Sequence, residues 1–495
     1  MNNMIARGAA PLLAALLLSA CATPEFRQPY IDTPDAFRER QALATPVEGV
    51  DGARWQPAQP AEQQPRGQWW LAFNDAALTA LVEEASANNA NLAVAASRVR
   101  QARAIAGIAE ADRIPQVGIG VGAQRARLSP LESNLAPGAS TEARTSYSAR
   151  LSASYEVDLF GRVAAGVTAA RGDAATSEAN LRSVLLALQA DVAQTYFRLR
   201  ALDAELDTVA QTVRLREESV GVTQRRFDLG DIGEFDLSRA RTELATARAE
   251  AIGLQRQRAN SEHALAVLLG KPASDFVAGA NPLLAASALP AIPAGLPSNL
   301  LERRPDIVAA QRAMEASNAR IGVARGAMFP SLLISADGGG IGGAFSDVFR
   351  WSSRSWVLGA LASMPIIDGG RNRNNVVRSE AVLEESVGTY RQSVLVAFAE
   401  VEDSLAGLRV LAGQAEQIEA ALVSARRSAD LAQKLYDAGR SSYLELLDAQ
   451  RNLATVERTA VQLRGDRAMT TVALIRALGG GWDSAQQGAA VVAQR

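Results

Sequence analysis

The stretch YDAGRSSYLELLDAQ, Tyr436 to Gln450, decides how this chain folds, because a near-echo, FDLGDIGEFDLSRAR, runs from Phe227 to Arg241, 209 positions earlier. Each version places an aromatic residue before a glycine, Gly230 or Gly439, that can end a helix in the left-handed conformation. Each then starts a new helical pattern near Glu234 or Tyr443. The stretch therefore reads as the turn between two helices, written twice.

Other segments recur in step. Phe160-Gly161-Arg162 returns as Gly369-Gly370-Arg371, and Ala266 to Gly270 returns as Ile475 to Gly479, again 209 positions on. Arg113-Ile114-Pro115-Gln116 returns as Met328-Phe329-Pro330-Ser331, 215 positions on, so one loop of the first copy is six residues longer. This is an internal duplication of large period. The order in each copy is a helix (Asn91 to Ala111, or Pro305 to Ala327), two strand-like segments, a very long helix, a tight turn and a return helix.

The strand-like segments alternate. Val117, Ile119 and Val121 take every second position, as do Tyr147, Ala149, Leu151, Ala153, Tyr155 and Val157. Their counterparts are Ser331 to Gly340 and Ser355 to Ile366. Period two with one apolar face is strand behaviour, and ten residues or slightly more suffice for a tilted strand to cross a bilayer. The long helices instead step by three and four. Leu181, Leu185, Leu188, Val192, Tyr196, Leu199, Leu202, Leu206, Val209 and Val213 form one seam, and Val394 through Tyr436 form another. That is the coiled-coil spacing. No proline interrupts Arg162 to Lys271 or follows Pro365. Arg162 to Asp228 then makes a helix about 100 Å long, at about 1.5 Å per residue. The return helices, Glu234 to Leu269 and Tyr443 to Leu478, are shorter, and the helices preceding the strands have the length to stack end to end with them.

Composition excludes several functions. With 495 residues and a net charge of −2 there is no basic field to draw nucleic acid. One cysteine and one histidine exclude a Cys/His zinc site and an intrachain disulfide. His263 lacks cooperating neighbours, so no catalytic role and no Ser-His-Asp triad is expected. Gly338, Gly340 and Gly343 form a GxGxxG string with no βαβ unit behind it, and are read as part of an extracellular loop. No cofactor and no enzymatic activity are expected.

The amino terminus carries Arg7, the apolar run PLLAALLLSA and then Leu18-Ser19-Ala20-Cys21, a signal peptide (1–20) closed by a lipobox. Cys21 is the expected lipidation site, and Ala22 after it suggests outer membrane delivery. The run Gly8 to Ala20 is too short to span a bilayer as a helix, so strands must make any crossing. Four strands per chain leave two unpaired edges, which lipid does not tolerate; several chains must share one barrel.

The lipobox at Cys21, WWLAFNDAAL (Trp69 to Leu78), SYEVDLFGR (Ser154 to Arg162), RRPDI (Arg303 to Ile307), FPSLLIS (Phe329 to Ser335), MPIIDGGR (Met364 to Arg371) and YDAGRSSYLELLDAQ occur in one order on one duplicated frame. In this the chain resembles the outer membrane efflux family, the TolC-like and OprM-like exit ducts of tripartite pumps, and within it the lipoprotein branch. The resemblance implies a mixed α and β membrane protein. Three chains would form a homotrimer with a 12-stranded transmembrane β-barrel, continued by a periplasmic α-helical coiled-coil barrel with an equatorial domain. The implied domains are 21–88 (acylated terminus and equatorial segment), 89–270 (first repeat), 271–301 (equatorial linker), 302–479 (second repeat) and 480–495 (tail). Implied partners are outer membrane lipid, a periplasmic adaptor (membrane fusion) protein and an inner-membrane proton-driven RND transporter, which supplies the energy. The implied channel gate is Leu444 and Asp448, with Glu445 beside them and Asp236 in the first tip; Tyr443 and Arg440 are the implied latch. Two other functions share these features: a duct for type I protein secretion, and a periplasmic coiled-coil adaptor lipoprotein. The second would have one hairpin rather than two.

Overall fold

The computed structural model of the chain describes residues 24–29, 34, 37–40, 68–127, 142–283, 289–290 and 303–480. The signal peptide, Cys21 and the tail after residue 480 lie outside the described residues. The first copy contains α1 (Ala76–Asn88), α2 (Ala90–Ala111), β1 (Gln116–Ala126), β2 (Arg144–Val157), α3 (Arg162–Asp228) and α4 (Glu234–Leu268). The second contains α5 (Pro305–Gly326), β3 (Ser331–Gly342), β4 (Arg354–Ser363), α6 (Arg371–Asp437) and α7 (Tyr443–Ala477). The long helices are 67 residues each and the return helices 35 each. The connection between β1 and β2 (127–143) is six residues longer than that between β3 and β4 (343–353), where the sequence offset changes. Among the described residues no helix is long and apolar enough to cross a membrane.

The chain forms two compact units, and both draw on both repeats: residues 1–30, 98–178 and 309–390 in one, and 31–97, 179–308 and 391–495 in the other. The first unit holds a single antiparallel sheet of order β1-β2-β3-β4. Its register aligns Ile119, Leu151, Gly338 and Trp356 across the four strands, and Val117, Ala153, Ala336 and Leu358 in the next row of that face. The opposite face carries Gly118, Ser152, Asp337 and Val357 in one row and Gly120, Arg150, Gly339 and Ser355 in another. One face is thus apolar and the other largely polar. The apolar side chains are exposed in the single chain: Ile119 by 80%, Trp356 by 75% and Leu358 by 71%.

Two sequence expectations shift here. The β4 strand ends at Ser363 rather than Ile366, because Pro365 has no N–H to give the ladder. Gly338 and Gly340 of the GxGxxG string lie inside β3, not in a loop. Their lack of Cβ is used: a Cβ on Gly340 would overlap the Val348 carbonyl, and one on Gly342 would come 2.7 Å from Asp347 Cβ. A short 3₁₀ turn, Phe345–Phe349, folds back over the strand at that point.

The repeated motif before each long helix acts as its cap. Asp158 accepts hydrogen bonds from the Val163 and Ala164 amides at 3.0 and 2.7 Å, and Asp368 from the Gly370 and Asn372 amides at 2.9 Å each. A carboxylate at a helix N-terminus satisfies orphan N–H groups and favours the helix dipole. These bonds hold the Asp368 carboxyl below the usual carboxylate range.

The second unit is helical. The heptad seams pack as the spacing requires: Val192, Leu199, Val394 and Val401 are fully buried, and Leu202, Leu405 and Leu422 nearly so. Trp70, Phe73 and Leu78 from the amino-terminal part of that unit join Tyr196, Leu265 and Val472 in its main core. Tyr196 donates a 2.6 Å hydrogen bond to Asp75, and burial, together with that carboxylate, pushes its phenol well above the ordinary range.

Candidate functional site: the hairpin tips

Both tips are built by the same backbone device. At the first, Gly230 N–H bonds Phe227 O at 2.9 Å and Asp231 N–H bonds Arg226 O at 2.9 Å, with Gly230 at φ 74°. At the second, Gly439 N–H bonds Tyr436 O at 2.9 Å and Arg440 N–H bonds Leu435 O at 2.8 Å, with Gly439 at φ 67°. This is the Schellman closure, and it satisfies carbonyls that the helix end leaves open. α7 then starts with a capping box: Ser442 Oγ accepts from Glu445 N–H at 3.3 Å, while the Glu445 carboxylate accepts from Ser442 N–H at 3.2 Å. Glu445 therefore has a structural duty of its own.

The structure separates the implied gate and latch residues into two groups. Leu444, half exposed, and Asp448, exposed, stand one turn apart on the open side of α7. Glu445 is exposed beside them, Asp236 lies partly exposed in the first turn of α4, and Arg440 is an exposed turn residue. Tyr443 points the other way. It is 8% exposed, its ring lies 6.0 Å from that of Tyr436, and its hydroxyl is 3.0 Å from Ser219 Oγ on α3. It packs in a small cluster with Ala240, Leu447, Val220 and Tyr436.

Several residues at the tips carry no signal in the repeat pattern. Arg226 donates to Asp231 at 2.6 Å and to the Tyr436 hydroxyl at 2.9 Å, and its guanidinium lies 5.5 Å from the Tyr436 ring centre. These partners raise its already high pKa further. About three turns deeper, buried Arg216 donates to Gln450 at 2.8 Å, and burial lowers its pKa. Arg451 grips Glu243 with both a 2.9 Å bond from Nε and a second from its terminal nitrogen. Further along, Arg458 bonds both Glu205 and Glu250. Each joins one hairpin to the other. The linked positions lie 208 to 253 apart in the chain, so only knowledge that the two hairpins lie side by side could have revealed them.

Two strands with an exposed apolar face and one long helical hairpin, present twice, are the architecture that the resemblance to outer membrane exit ducts implies. The chain belongs to the outer membrane efflux protein family, whose sequence profile matches residues 81–271 and 296–480. It is 33% identical over 481 residues to the solvent efflux pump outer membrane protein SrpC of Pseudomonas putida, covering 96% of this chain and 98% of that one. It is 32% identical over 482 residues to the cation efflux system protein CusC of Escherichia coli, covering 95% and 98%. The crystal structure of a membrane protein from Pseudomonas aeruginosa superposes with a TM-score of 0.82 at 31% identity, covering 93% of this chain and 98% of that one. The chain is thus the outer membrane channel component of an efflux pump; its family is one of transport proteins, not enzymes.

Proposed function

We propose that three copies of this chain join edge to edge into a 12-stranded barrel, continued by a periplasmic barrel of their helical hairpins, through which an inner-membrane pump expels small molecules. The observation that carries this reading is the sheet itself. Its apolar face is bare, and its edge strands β1 and β4 have no outer neighbour among the described residues. In lipid each unpaired backbone group costs several kcal/mol, so closure with further copies is the favoured solution. The polar face, with Arg150, Asp337 and the serine row, then lines the water-filled side. Lipidation at Cys21 adds an anchor, and the described parts of 21–88 and 271–301 contribute to an equatorial belt. A periplasmic adaptor protein and a proton-driven RND transporter are the partners, and outer membrane lipid surrounds the barrel.

At the tips, Leu444 closes the resting pore by apolar contact around the threefold axis. Asp448, with Asp236, gives it a negative ring that favours cations. Tyr443 and Arg440 hold the closed arrangement. The near-equal similarity to a solvent-efflux and a cation-efflux component supports a duct that leaves cargo choice to its pump. Heat-sensitive gel migration with mass measurement on outer membrane extracts tests the assembly: a species three times the chain mass that collapses on boiling is expected, and a monomer insensitive to heating would overturn the trimer. Single-channel recording of Asp448→Ala tests the ring; unchanged current and cation preference would remove Asp448 from it.

A further inference from the structure

The end of the sheet remote from the helices carries an unusual arrangement on its apolar face. The turn Phe345–Phe349 lies against β3 there, made possible by Gly340 and Gly342. Val348 is its buried foot, 3% exposed. Phe345 meets the Tyr147 ring edge-on at 6.3 Å and Phe349 at 5.7 Å. Phe349 and Trp351 nevertheless stay exposed, by 66% and 81%. The Arg354 guanidinium stacks on Trp351 at 4.4 Å, and Arg350 is 70% exposed beside its Asp347 partner. By register Arg354 shares this face with Trp356; exposed Arg125 is on the same face of β1, at the opposite edge of the sheet, and edge-to-edge closure would set β1 of the next copy beside β4. Among the described residues, no acidic side chain is bonded to Arg125 or Arg354.

The height of this cluster is fixed by the strands. Trp356 lies on this face at the level of Leu151, and Tyr155, paired with Ile334, marks the aromatic level at the opposite end of β2. From Tyr155 to Tyr147 is roughly 27 Å along a strand, at about 3.4 Å per residue. Tilted by about 40°, that matches an apolar band of about 25 Å between two aromatic girdles within a few ångströms. The 345–354 turn therefore falls at the lipid headgroup level of the outer leaflet. A loop turned into the lumen or into solvent would not lay its aromatics over the apolar face. Aromatic rings favour the interface, and arginine planes bind phosphate oxygens in pairs.

Resting on the barrel reading, we infer that residues 345–354 together with Arg125 form an interfacial clamp that binds the phosphate groups of an outer-leaflet lipid. The aromatics set its depth and the three arginines supply recognition. The test uses the full-length protein in phosphatidylcholine nanodiscs containing either bisphosphorylated lipid A or its dephosphorylated form, with retained lipid counted by native mass spectrometry. The wild-type protein should retain the phosphorylated lipid about tenfold better, within reach of three arginines at a charged surface. The R125A/R350A/R354A protein should lose that preference while still migrating as a heat-sensitive trimer. Equal retention of the two lipids by the wild-type protein, which needs no variant, would overturn the clamp. So would an unchanged preference in the triple variant, or retention lost only when Phe349 and Trp351 are removed. A protein that never forms a trimer would instead fail the barrel reading, and the gel separates the two failures.

Discussion

Arg451 on α7 donates two hydrogen bonds to the Glu243 carboxylate on α4, joining hairpins whose paired residues lie 208 positions apart in the chain. Glu243 is 13% exposed and Arg451 49%. A pair so placed is worth up to about 1 kcal/mol, little for the fold but enough to bias the gating proposed for the tip. The conservative variant Glu243→Gln should raise the resting conductance of the reconstituted channel by roughly two- to fivefold. Arg451→Ala should do the same, and the double variant no more than either. Additive effects of the two changes would show that they act apart.

The same pair sets a pH expectation. The hydrogen bond from Arg451 pulls the Glu243 carboxyl below its ordinary range, helped by the nearby charges of Arg451, Arg216 and Arg239 and opposed by partial burial. A carboxyl whose folded pKa is depressed contributes fully above its unfolded pKa, and that contribution is lost as pH falls through the lower, folded value. The link should therefore persist from neutral pH down through the ordinary glutamate range, about pH 4.3, and loosen only below it. Hydrogen exchange of α7 amides near Arg451 across that range checks it. A transition centred near pH 6 would assign control of the tip to another group.

A different network is built into the second unit around Asp203. Asp203, almost wholly buried, accepts from Arg200 at 2.8 Å, from Arg258 at 2.7 Å and from the Asn281 amide at 2.9 Å. Arg200 and Arg258 also donate to the Gly279 and Ala278 carbonyls, so the segment after α4 is tied to α3 and α4. Removing the shared carboxylate leaves the buried Arg200 with only the Gly279 carbonyl, while Arg258 keeps Glu262. Asp203→Ala should cost about 3–5 kcal/mol, read as a fall of several degrees in melting temperature and as earlier proteolysis near residue 280. Asp203→Asn, which keeps one acceptor, should fall between.

That network also marks how far the sequence could be read. Helices, strands and tips were legible because each rests on a local signal: period two around Ile119, steps of three and four from Leu181, and Gly230 or Gly439 closing a helix. The exposed apolar face was legible from alternation alone. Asp203, Arg258 and Glu205 were not. In a coiled-coil pattern they occupy positions that look solvated, and only the docking of segments 55 to 257 positions away turns them inward. At the tip the family pattern named Tyr443, but its partner Ser219 is 224 residues off. Glu445 was legible as a first-turn residue, and its capping bond with Ser442 gives that position a local physical reason.

The glycines offer the last test, because three of them sit in helices or turns for opposite reasons. Gly439 has φ 67°, where a side chain costs about 1–2 kcal/mol. Gly465 on α7 faces Ala201 on α3 so closely that an added Cβ would come within 2.6 Å of the alanine Cβ. Gly413 lies within α6, and a Cβ added there would meet nothing within 4 Å. Gly439→Ala should destabilise the tip, seen as faster amide exchange there with little change in global melting. Gly465→Ala forces two helices apart and should lower the global melting temperature, by the equivalent of about 1–3 kcal/mol. Gly413→Ala should do the reverse and stabilise by about 0.5–1 kcal/mol, since alanine restricts the unfolded chain and suits the helix. If Gly465→Ala melted like the wild-type protein, α3 and α7 would be less tightly apposed than Ala201 and Gly465 indicate.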